Sequence, residues 1–263
     1  MTRISDAFAK AEQENRAAFI PYLTAGFPNR EAFLEHAGTL LERADLLEVG
    51  LPYSDPLGDG PTIQRSSEAV LRDGVTTGDV FEMVRMLRDR TDKPLIVMTY
   101  YNPIYCYPNG GEAGFFRDAA AAGADGVILP DLPPDEADSA RAAAKQAGIS
   151  TIFLVAPTST EERLAFVTSA CEGFVYAVSV TGVTGAREAT SSEVPDLVRR
   201  IRQVTDLPIA VGFGVSNAAT AAPVAAEADG VVVGSALIRT IDEGQDLQAL
   251  THEIADACQR PGA

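Results

Sequence analysis

The stretch GVVVG, residues 230–234, is a short run of β-branched residues bounded by glycines. A strand that is apolar at nearly every position, instead of at every second position, is typical of a parallel sheet covered on both faces. Seven more runs of this kind precede it along the chain. They are FIPYLT (19–24), LLEVG (46–50), PLIVMTY (94–100), GVILP (126–130), STIFLV (150–155), GFVYAVS (173–179) and PIAVG (208–212). The repetition predicts eight parallel strands.

Helical patterns separate these runs. The segment SSEVPDLVRRIRQV follows the sixth run and has an apolar face behind Ser191 or Ser192 as the N-cap. After the fifth run, Thr158 and Glu161 have the spacing of a capping box. Eight strands that alternate with helices indicate a closed barrel, because an open doubly wound sheet usually has about five or six strands.

The length of the chain fits this architecture. A (β/α)₈ TIM barrel commonly has about 250 residues, and this chain has 263, of which 46% are hydrophobic. We therefore expect one barrel domain over residues 1–263, with an N-terminal helix that covers the bottom of the barrel. The functional groups of such a barrel lie in the loops that follow its strands. Two of those loops are longer than the usual repeat, one after the second run and one after the sixth.

The composition argues against several classes of protein. A net charge of −16 is unfavourable for a nucleic acid or an anionic membrane as partner. No apolar run reaches the roughly 18 residues of a transmembrane helix, and the polar N-terminal segment is unlike a signal peptide. The three cysteines are far apart and form no CxxC pair. We therefore expect a reduced, cytoplasmic protein without structural zinc.

Three acidic residues lie in or just after the second run. Glu48 is inside the apolar stretch, and Asp55 and Asp59 follow in a segment rich in proline and glycine. An isolated carboxylate in apolar surroundings costs several kcal/mol unless it is paired or protonated. Glu48 also lies at the end of the strand from which catalytic groups of a barrel project. The residues alone leave three alternatives: a catalytic acid, a structural ion pair with turn-forming aspartates, or a divalent-metal site.

Glycine-rich stretches follow the last three predicted strands. They are TGVTGA (181–186), VGFGVS (211–216) and VGSALI (233–238). In barrels, the loops after the seventh and eighth strands and a helix N-terminus form a recurrent phosphate site. No lysine lies in these stretches, so backbone N–H groups and hydroxyls would hold the phosphate. The candidate groups are Thr184, Gly185, Gly214, Gly234 and Ser235.

The positions of lysine and histidine narrow the chemistry further. None of the three lysines follows a predicted strand, so a Schiff-base mechanism has no nucleophile. Both histidines, His36 and His252, lie in helical patterns, which leaves carboxylates for acid–base work and disfavours a histidine-ligated metal. No GxGxxG follows a strand, so we expect no nicotinamide cofactor.

The chain resembles the tryptophan synthase alpha subunit family in motifs that follow the family's order and spacing. They are FIPYLTAG, LLEVGLPYSDPLGDGPTIQ, MTYYNPI, GVTG, VGFGVS and GSA. The resemblance implies a (β/α)₈ barrel and a carbon–carbon lyase that cleaves indole-3-glycerol phosphate to indole and glyceraldehyde 3-phosphate. It also implies a beta subunit partner in an alpha2beta2 tetramer. Pyridoxal phosphate is expected only in that partner, with no cofactor and no metal in the alpha subunit.

The resemblance also assigns roles to the acids and to the residues around them. Glu48 would transfer protons to and from the substrate, and Asp59 would stay ionised and accept the indole N–H. Two acids with these roles need different surroundings, with Glu48 dry and Asp59 more hydrated. The resemblance implies an indole pocket formed by Tyr22, Tyr100, Ile128, Leu154, Tyr176 and Phe213.

Two loops after strands mix proline with apolar residues and are candidates for the partner interface. They are LPYSDPLGDGP and YYNPIYCYPNGGE, with Pro52, Asp55, Asn102 and Pro103 as the candidate contacts. Composition alone supports two interpretations equally, a protein interface or a pair of lids whose apolar residues fold back. The resemblance favours an interface with the beta subunit. Two rival functions remain at this stage. One is another phosphate-binding barrel, a lyase or an epimerase, and the other is a catalytically idle barrel that activates a partner.

Overall fold

The computed structural model describes residues 2–178, 193–212 and 214–260. Eight strands in this part of the chain form a closed barrel in sequence order. The strands are β1 (Ala18–Thr24), β2 (Leu47–Gly50), β3 (Leu95–Met98), β4 (Gly126–Leu129), β5 (Ser150–Val155), β6 (Val175–Val178), β7 (Ile209–Gly212) and β8 (Gly230–Val233). All neighbouring pairs are parallel, and β8 closes the barrel on β1 with Ala18 opposite Gly230. The fold predicted from the eight apolar runs is confirmed.

Helices surround the barrel and explain why its strands are apolar throughout. The helices are α1 (Arg3–Gln13), α2 (Arg30–Arg43), α3 (Pro61–Arg72), α4 (Thr77–Arg88), α5 (Tyr101–Tyr105), α6 (Gly111–Ala122), α7 (Asp138–Ala147), α8 (Glu161–Ala170), α9 (Glu193–Arg202), α10 (Ala218–Glu227), α11 (Ser235–Asp242) and α12 (Leu247–Ala257), with a short 3₁₀ helix at Pro134–Glu136. Each strand has one face against these helices and one in the barrel, so both faces are buried. Among the described residues, no helix combines the length and the apolar character needed to cross a membrane.

Helix α1 covers the bottom of the barrel, as the sequence predicted. Thr2 begins it with a capping box, and Ile4 and Phe8 on its inner face are buried with the side chains of the barrel interior. Helix α1 packs very close to two of the strands. A Cβ atom on Gly126 would lie 3.3 Å from the Ile4 side chain, and one on Gly230 would lie 3.1 Å from the Phe8 side chain. Glycine at the first position of β4 and of β8 therefore leaves space for the side chains of α1 to pack against the barrel.

Three aspartates repeat one arrangement at the bottom of the barrel. Each precedes an even-numbered strand, accepts an N–H near the start of the preceding strand, and pairs with an arginine. Asp45, Asp125 and Asp229 accept the N–H groups of Phe19, Leu95 and Ile209 at 2.8, 2.9 and 2.9 Å, respectively. Their arginine partners are Arg16, Arg88 and Arg202, at 2.5, 2.6 and 2.8 Å. Since the bonds to a carboxylate are charge-assisted, this arrangement ties neighbouring strands together.

One local expectation needs correction. The N-cap of α8 is Thr160, whose side chain accepts the N–H of Arg163, so the capping box expected from Thr158 and Glu161 is wrong. The second candidate partner loop contains the short helix α5. The predicted caps Ser191 and Ser192 lie outside the described residues.

Candidate active site

Glu48 lies in the second position of β2, with Tyr22 of β1 and Ile96 of β3 on either side. The side chain is 1% exposed, and neither carboxyl oxygen has a hydrogen-bond partner among the residues that the structure describes. Burial raises the pKa of Glu48 to about 8, and the nearby charge of Asp59 adds to the shift. Glu48 therefore holds its proton at neutral pH and can release it to an acceptor in the barrel mouth.

Asp59 lies in the loop that joins β2 to α3, and the backbone of that loop fixes its position. Its N–H donates to the carbonyl of Pro56 at 3.0 Å, and its carbonyl accepts from the Gln64 side chain at 2.8 Å. The residue is half-buried. Burial raises the pKa of Asp59 to about 6, and a hydrogen bond with Tyr100 opposes that shift. Asp59 is therefore the more hydrated of the two acids and is mostly ionised at pH 7.

Tyr100 holds the Asp59 loop, a role that the sequence did not indicate. Its hydroxyl oxygen accepts the N–H of Gly58, the residue before Asp59, at 2.9 Å. Its ring stacks on Tyr53, with centroids 5.1 Å apart and an interplanar angle of 30°. Tyr100 therefore holds the loop at Gly58, immediately before Asp59. The resemblance implied only a contact between Tyr100 and the indole.

Two tyrosines lie next to the acids inside the barrel. Tyr22 and Tyr176 are buried, and the pKa of each is well above its usual value because of that burial and the charges of Glu48 and Asp59. A Cβ atom on Gly50 would lie 2.0 Å from the Tyr22 hydroxyl oxygen, so this position accommodates only glycine. Both tyrosines are therefore neutral and fixed against the strand ends.

The remaining residues of the expected indole pocket differ in what the structure describes. Ile128 is fully buried in the barrel-interior cluster, and Leu154 is half-buried against the same cluster. Phe213 lies outside the described residues. Four of the six side chains, Tyr22, Ile128, Leu154 and Tyr176, thus come from strands β1, β4, β5 and β6, and the last three belong to or pack against the barrel-interior cluster.

The phosphate candidates that the structure describes lie at the ends of β7 and β8. Gly214 has a φ of 55°, a left-handed conformation that favours glycine, and it is exposed. Gly234 is the N-cap residue of α11, and as a glycine it has no side chain that could cap the helix. Ser235 follows as the exposed first residue of that helix. These backbone N–H groups suit an anion at the helix N-terminus. Thr184 and Gly185 fall in the part of the chain that the structure leaves undescribed.

The partner-loop candidates differ in exposure. Asp55 and Asn102 are exposed, Pro103 is half-buried, and Pro52 is buried and so presents little surface to a partner. The carboxylate of Asp55 accepts the hydroxyl of Ser54 at 2.5 Å.

Some apolar residues of these loops fold inward, and others do not. Leu51 and Ile104 are buried, as in the alternative in which apolar residues of these loops fold back. Leu57 is 87% exposed and Tyr105 is 65% exposed. Sequence reasoning named neither residue individually, although both lie in the quoted loops.

The structure also places the residue types that a metal site or a Schiff base would use. Within residues 2–178, 193–212 and 214–260, no group of three histidine, cysteine, aspartate or glutamate side chains is arranged to hold a metal. Lys93 lies at the opposite end of the barrel, where its Nζ donates to the carbonyl of Leu41 at 2.5 Å. His36 and His252 lie in α2 and α12, away from the strand ends.

Comparison with known proteins agrees with this geometry. Residues 8–260 match the family described as Tryptophan synthase alpha chain. The chain is 56% identical to the tryptophan synthase alpha chain of Deinococcus radiodurans over 259 residues, which cover 98% of this chain and 95% of that protein. It is 48% identical to the Nocardia farcinica protein of the same name over 257 residues, 97% of this chain and 95% of that one.

Solved structures lead to the same family. A chain of Mycobacterium tuberculosis tryptophan synthase superposes with a TM-score of 0.92 at 46% identity and covers 99% of both chains. The tryptophan synthase alpha chain of Legionella pneumophila superposes with a TM-score of 0.86 at 34% identity, over 100% of this chain and 99% of that one. The barrel and the nearly full-length sequence matches together establish that this chain belongs to the tryptophan synthase alpha chain family.

Proposed function

We propose that Glu48 and Asp59 carry out the lyase reaction of this family, the cleavage of indole-3-glycerol phosphate to indole and glyceraldehyde 3-phosphate. The observation that supports this assignment most strongly is the state of Glu48, which is buried, unpartnered among the described residues and raised in pKa to about 8. Cleavage of the bond between indole C3 and the side chain needs a proton on C3 and removal of the proton from the adjacent hydroxyl. A carboxyl group with a pKa near neutral pH can do both in turn.

Asp59 stabilises the charge that forms during this reaction. When C3 gains a proton, positive charge develops on the ring nitrogen, and an ionised carboxylate that accepts the indole N–H lowers the energy of that state. The half-buried position of Asp59 and its fixed loop suit this task. Collapse of the adjacent hydroxyl to an aldehyde then breaks the carbon–carbon bond, and the hydroxyl proton passes to Glu48. The acid is thereby restored to its protonated form.

Phosphate binding in this proposal relies on neutral groups. The N–H groups at Gly214, Gly234 and Ser235 lie at the ends of two strands and the start of α11, and Thr184 and Gly185 complete the candidate set. Such groups bind an anion through aligned backbone dipoles. No cofactor is needed for the steps above, since two carboxylates supply the proton and the counter-charge. We assign pyridoxal phosphate to the beta subunit alone.

The partner in this proposal is a tryptophan synthase beta subunit in an alpha2beta2 tetramer. Support comes from family membership and from the two apolar side chains, Leu57 and Tyr105, exposed beside the barrel mouth. Indole released at Glu48 would pass to the partner on this face. We also propose a cytoplasmic location, which the three unpaired cysteines support.

The decisive variant for this proposal is Asp59→Asn, measured by indole release from indole-3-glycerol phosphate. An amide cannot balance the ring charge, so we expect kcat to fall by at least the ~10²-fold typical of losing one electrostatic group of an active site. Inorganic phosphate should bind Asp59→Asn as it binds the unchanged protein. An Asp59→Asn protein that releases indole at a normal rate would leave Asp59 as a turn residue. A wild-type chain without turnover, alone or with beta subunit, would favour the idle-barrel alternative.

A further inference from the structure

Three buried hydroxyl groups form a continuous chain of hydrogen bonds between β1 and α3. The Tyr22 and Thr24 oxygens are 3.3 Å apart, and the Thr24 and Ser66 oxygens are 2.7 Å apart. The Ser66 oxygen lies 2.8 Å from the carbonyl oxygen of Ile63. Thr24 is 0% exposed and Ser66 is 1% exposed, so water does not substitute for these partners. We refer to Tyr22, Thr24 and Ser66 as the hydroxyl relay.

The direction of every bond in the hydroxyl relay follows from its last member. A carbonyl oxygen only accepts, so the Ser66 hydroxyl donates its proton to Ile63. The Ser66 oxygen therefore accepts from Thr24, and the Thr24 oxygen accepts from Tyr22. Each proton has one acceptor, and loss of any member leaves a buried hydroxyl without its partner. Such groups are costly when unpaired, so the three positions depend on one another.

The hydroxyl relay connects β1, which pairs with the strand that carries Glu48, to α3, the helix that follows Asp59. Thr24 ends β1 and lies opposite Gly50, which ends β2 two residues after Glu48. Ser66 lies in α3, which begins two residues after Asp59. The same helix also holds the loop directly, through the bond from Gln64 to the Asp59 carbonyl. A shift of α3 relative to β1 would therefore move Asp59 relative to Glu48.

Tyr22 begins the relay beside both acids. Its hydroxyl occupies the space that a side chain on Gly50 would need, and it is fixed there by burial. Burial and the charges of Asp59 and Glu48 keep the pKa of Tyr22 well above its usual range. Tyr22 is therefore protonated at all pH values near neutrality, and it remains a donor to Thr24 throughout the reaction.

We propose that Thr24 and Ser66 are positioning residues, which hold α3 against β1 so that Asp59 stays at its working distance from the substrate. Neither side chain is assigned a contact with substrate. The inference rests on the proposed function, because it gives Ser66 a role only if Asp59 has one. It differs from a purely structural role in one respect. Loss of the relay should impair turnover in a protein that remains folded and still binds phosphate.

The test compares Ser66→Ala with Ser67→Ala. Ser67 is the next residue of α3, is 3% exposed and lies outside the relay, so it controls for a buried serine-to-alanine change in the same helix. We expect Ser66→Ala to lower kcat for indole release about tenfold, which corresponds to ~1.4 kcal/mol of transition-state stabilisation. Its affinity for inorganic phosphate should be unchanged. Ser67→Ala should retain kcat within about twofold.

Thr24 supplies an independent pair of variants and a test of coupling. Thr24→Val keeps the shape and removes the hydroxyl, so it should match Ser66→Ala, whereas Thr24→Ser keeps the hydroxyl and should restore most of kcat. The double variant Thr24→Val with Ser66→Ala should be no slower than the slower single variant, since both remove one relay. Independent effects would multiply to about a hundredfold instead. If Ser66→Ala does not fold, the Thr24→Val and Thr24→Ser pair makes the same comparison.

A pH profile separates positioning from stability. A relaxed loop admits water to Asp59, so the pKa that governs the acid side of kcat should fall below that of the wild type in Ser66→Ala. A role in stability alone would lower the unfolding temperature and leave this pKa in place. Normal kcat in folded Ser66→Ala together with an inactive Asp59→Asn protein would overturn the inference and leave the proposed function standing. An active Asp59→Asn protein would instead remove the proposed function.

Discussion

Glu48 and Asp59 differ in how much water reaches each carboxyl group, and this difference sets their protonation. Glu48 is sealed in the barrel and has a pKa of about 8, whereas Asp59 is half-buried and has a pKa of about 6. Burial is the first cause of both shifts, and it raises a carboxyl pKa because the charged form loses its hydration. Between the two values, one acid is protonated and the other is ionised. That is the pair of states which the proposed reaction needs.

The pH dependence of indole release follows from these two values. The reaction needs ionised Asp59, so the rate should rise as pH increases through about 6. It also needs protonated Glu48 at the first step, so the rate should fall as pH increases through about 8. We expect a bell-shaped profile of kcat/KM with its maximum near neutral pH. A profile without a falling limb above pH 8, in a protein that stays folded there, would contradict the role of Glu48 as acid.

The sequence could indicate the two acids but not their supports. Glu48 was visible because a carboxyl group in an apolar run needs an explanation, and Asp59 because it follows the same strand. The loop contacts of Tyr100 and the relay through Thr24 and Ser66 connect positions more than 40 residues apart. No local pattern indicates such contacts, since each depends on how a helix and a loop pack on the finished barrel.

At the scale of the elements, the repeated aspartates at the barrel bottom connect neighbouring strands through buried or half-buried carboxylates. The carboxylate of Asp125 binds Arg3, Arg88 and the N–H of Leu95. The side chains of Asp125 and Arg88 are 11% and 14% exposed, so their pairing is only weakly screened by solvent. Removal of the charge from Asp125 would leave the Arg88 guanidinium without its counter-ion.

We expect Asp125→Asn to lower the free energy of unfolding by about 3 kcal/mol, the lower end of the cost of breaking a buried ion pair. Chemical denaturation measures this as a lower midpoint with an unchanged slope. Glu68→Gln is the matched control, because the Arg72–Glu68 pair has side chains 73% and 71% exposed. Loss of an exposed pair should cost less than about 1 kcal/mol. Equal losses of unfolding free energy in the two variants would show that the Asp125–Arg88 pair stabilises the fold no more than an exposed pair does.

The elements also show where local patterns mislead. Thr158 and Thr160 both precede α8, and both are residues that cap helices, so spacing alone did not select the correct one. The chain around Ser159 folds into a turn, where its N–H donates to the carbonyl of Ala156, and this turn delays the start of the helix. A glycine in the left-handed conformation marks the end of a helix more distinctly. Gly123 and Gly148 end α6 and α7 with φ values of 94° and 75°, which other residues rarely adopt.

At the scale of the whole molecule, the barrel topology was predictable because one rule governs all eight strands. Apolar runs of similar length alternate with amphipathic helices, and each strand pairs with the next along the chain. The predicted runs agree with the observed strands to within two residues at every end. That residues 1–263 form a single domain stays a prediction. The exposure of individual loop residues was not predictable, since Leu51 and Leu57 have the same side chain and opposite environments.

Leu57 allows a direct test of the proposed partner surface. It is 87% exposed beside the barrel mouth, and a large apolar side chain in that position gains free energy when a partner covers it. We expect Leu57→Ser to weaken binding of the beta subunit about tenfold, or ~1.4 kcal/mol. Titration of the alpha chain with beta subunit, followed by indole release, measures the change. Phe166→Ser is the matched control, since Phe166 is 45% exposed on α8. Equal affinity of the two variants would argue against this surface.

The central claim is that the buried carboxyl group of Glu48 moves the protons of the reaction, and the Glu48→Gln protein tests it most directly. Glutamine keeps the shape of the side chain but can neither donate nor accept the proton. Indole release should fall by at least the ~10²-fold typical of losing a general acid–base group, while the affinity for inorganic phosphate and the unfolding temperature do not fall. Indole release near the wild-type rate by a folded Glu48→Gln protein would contradict this account.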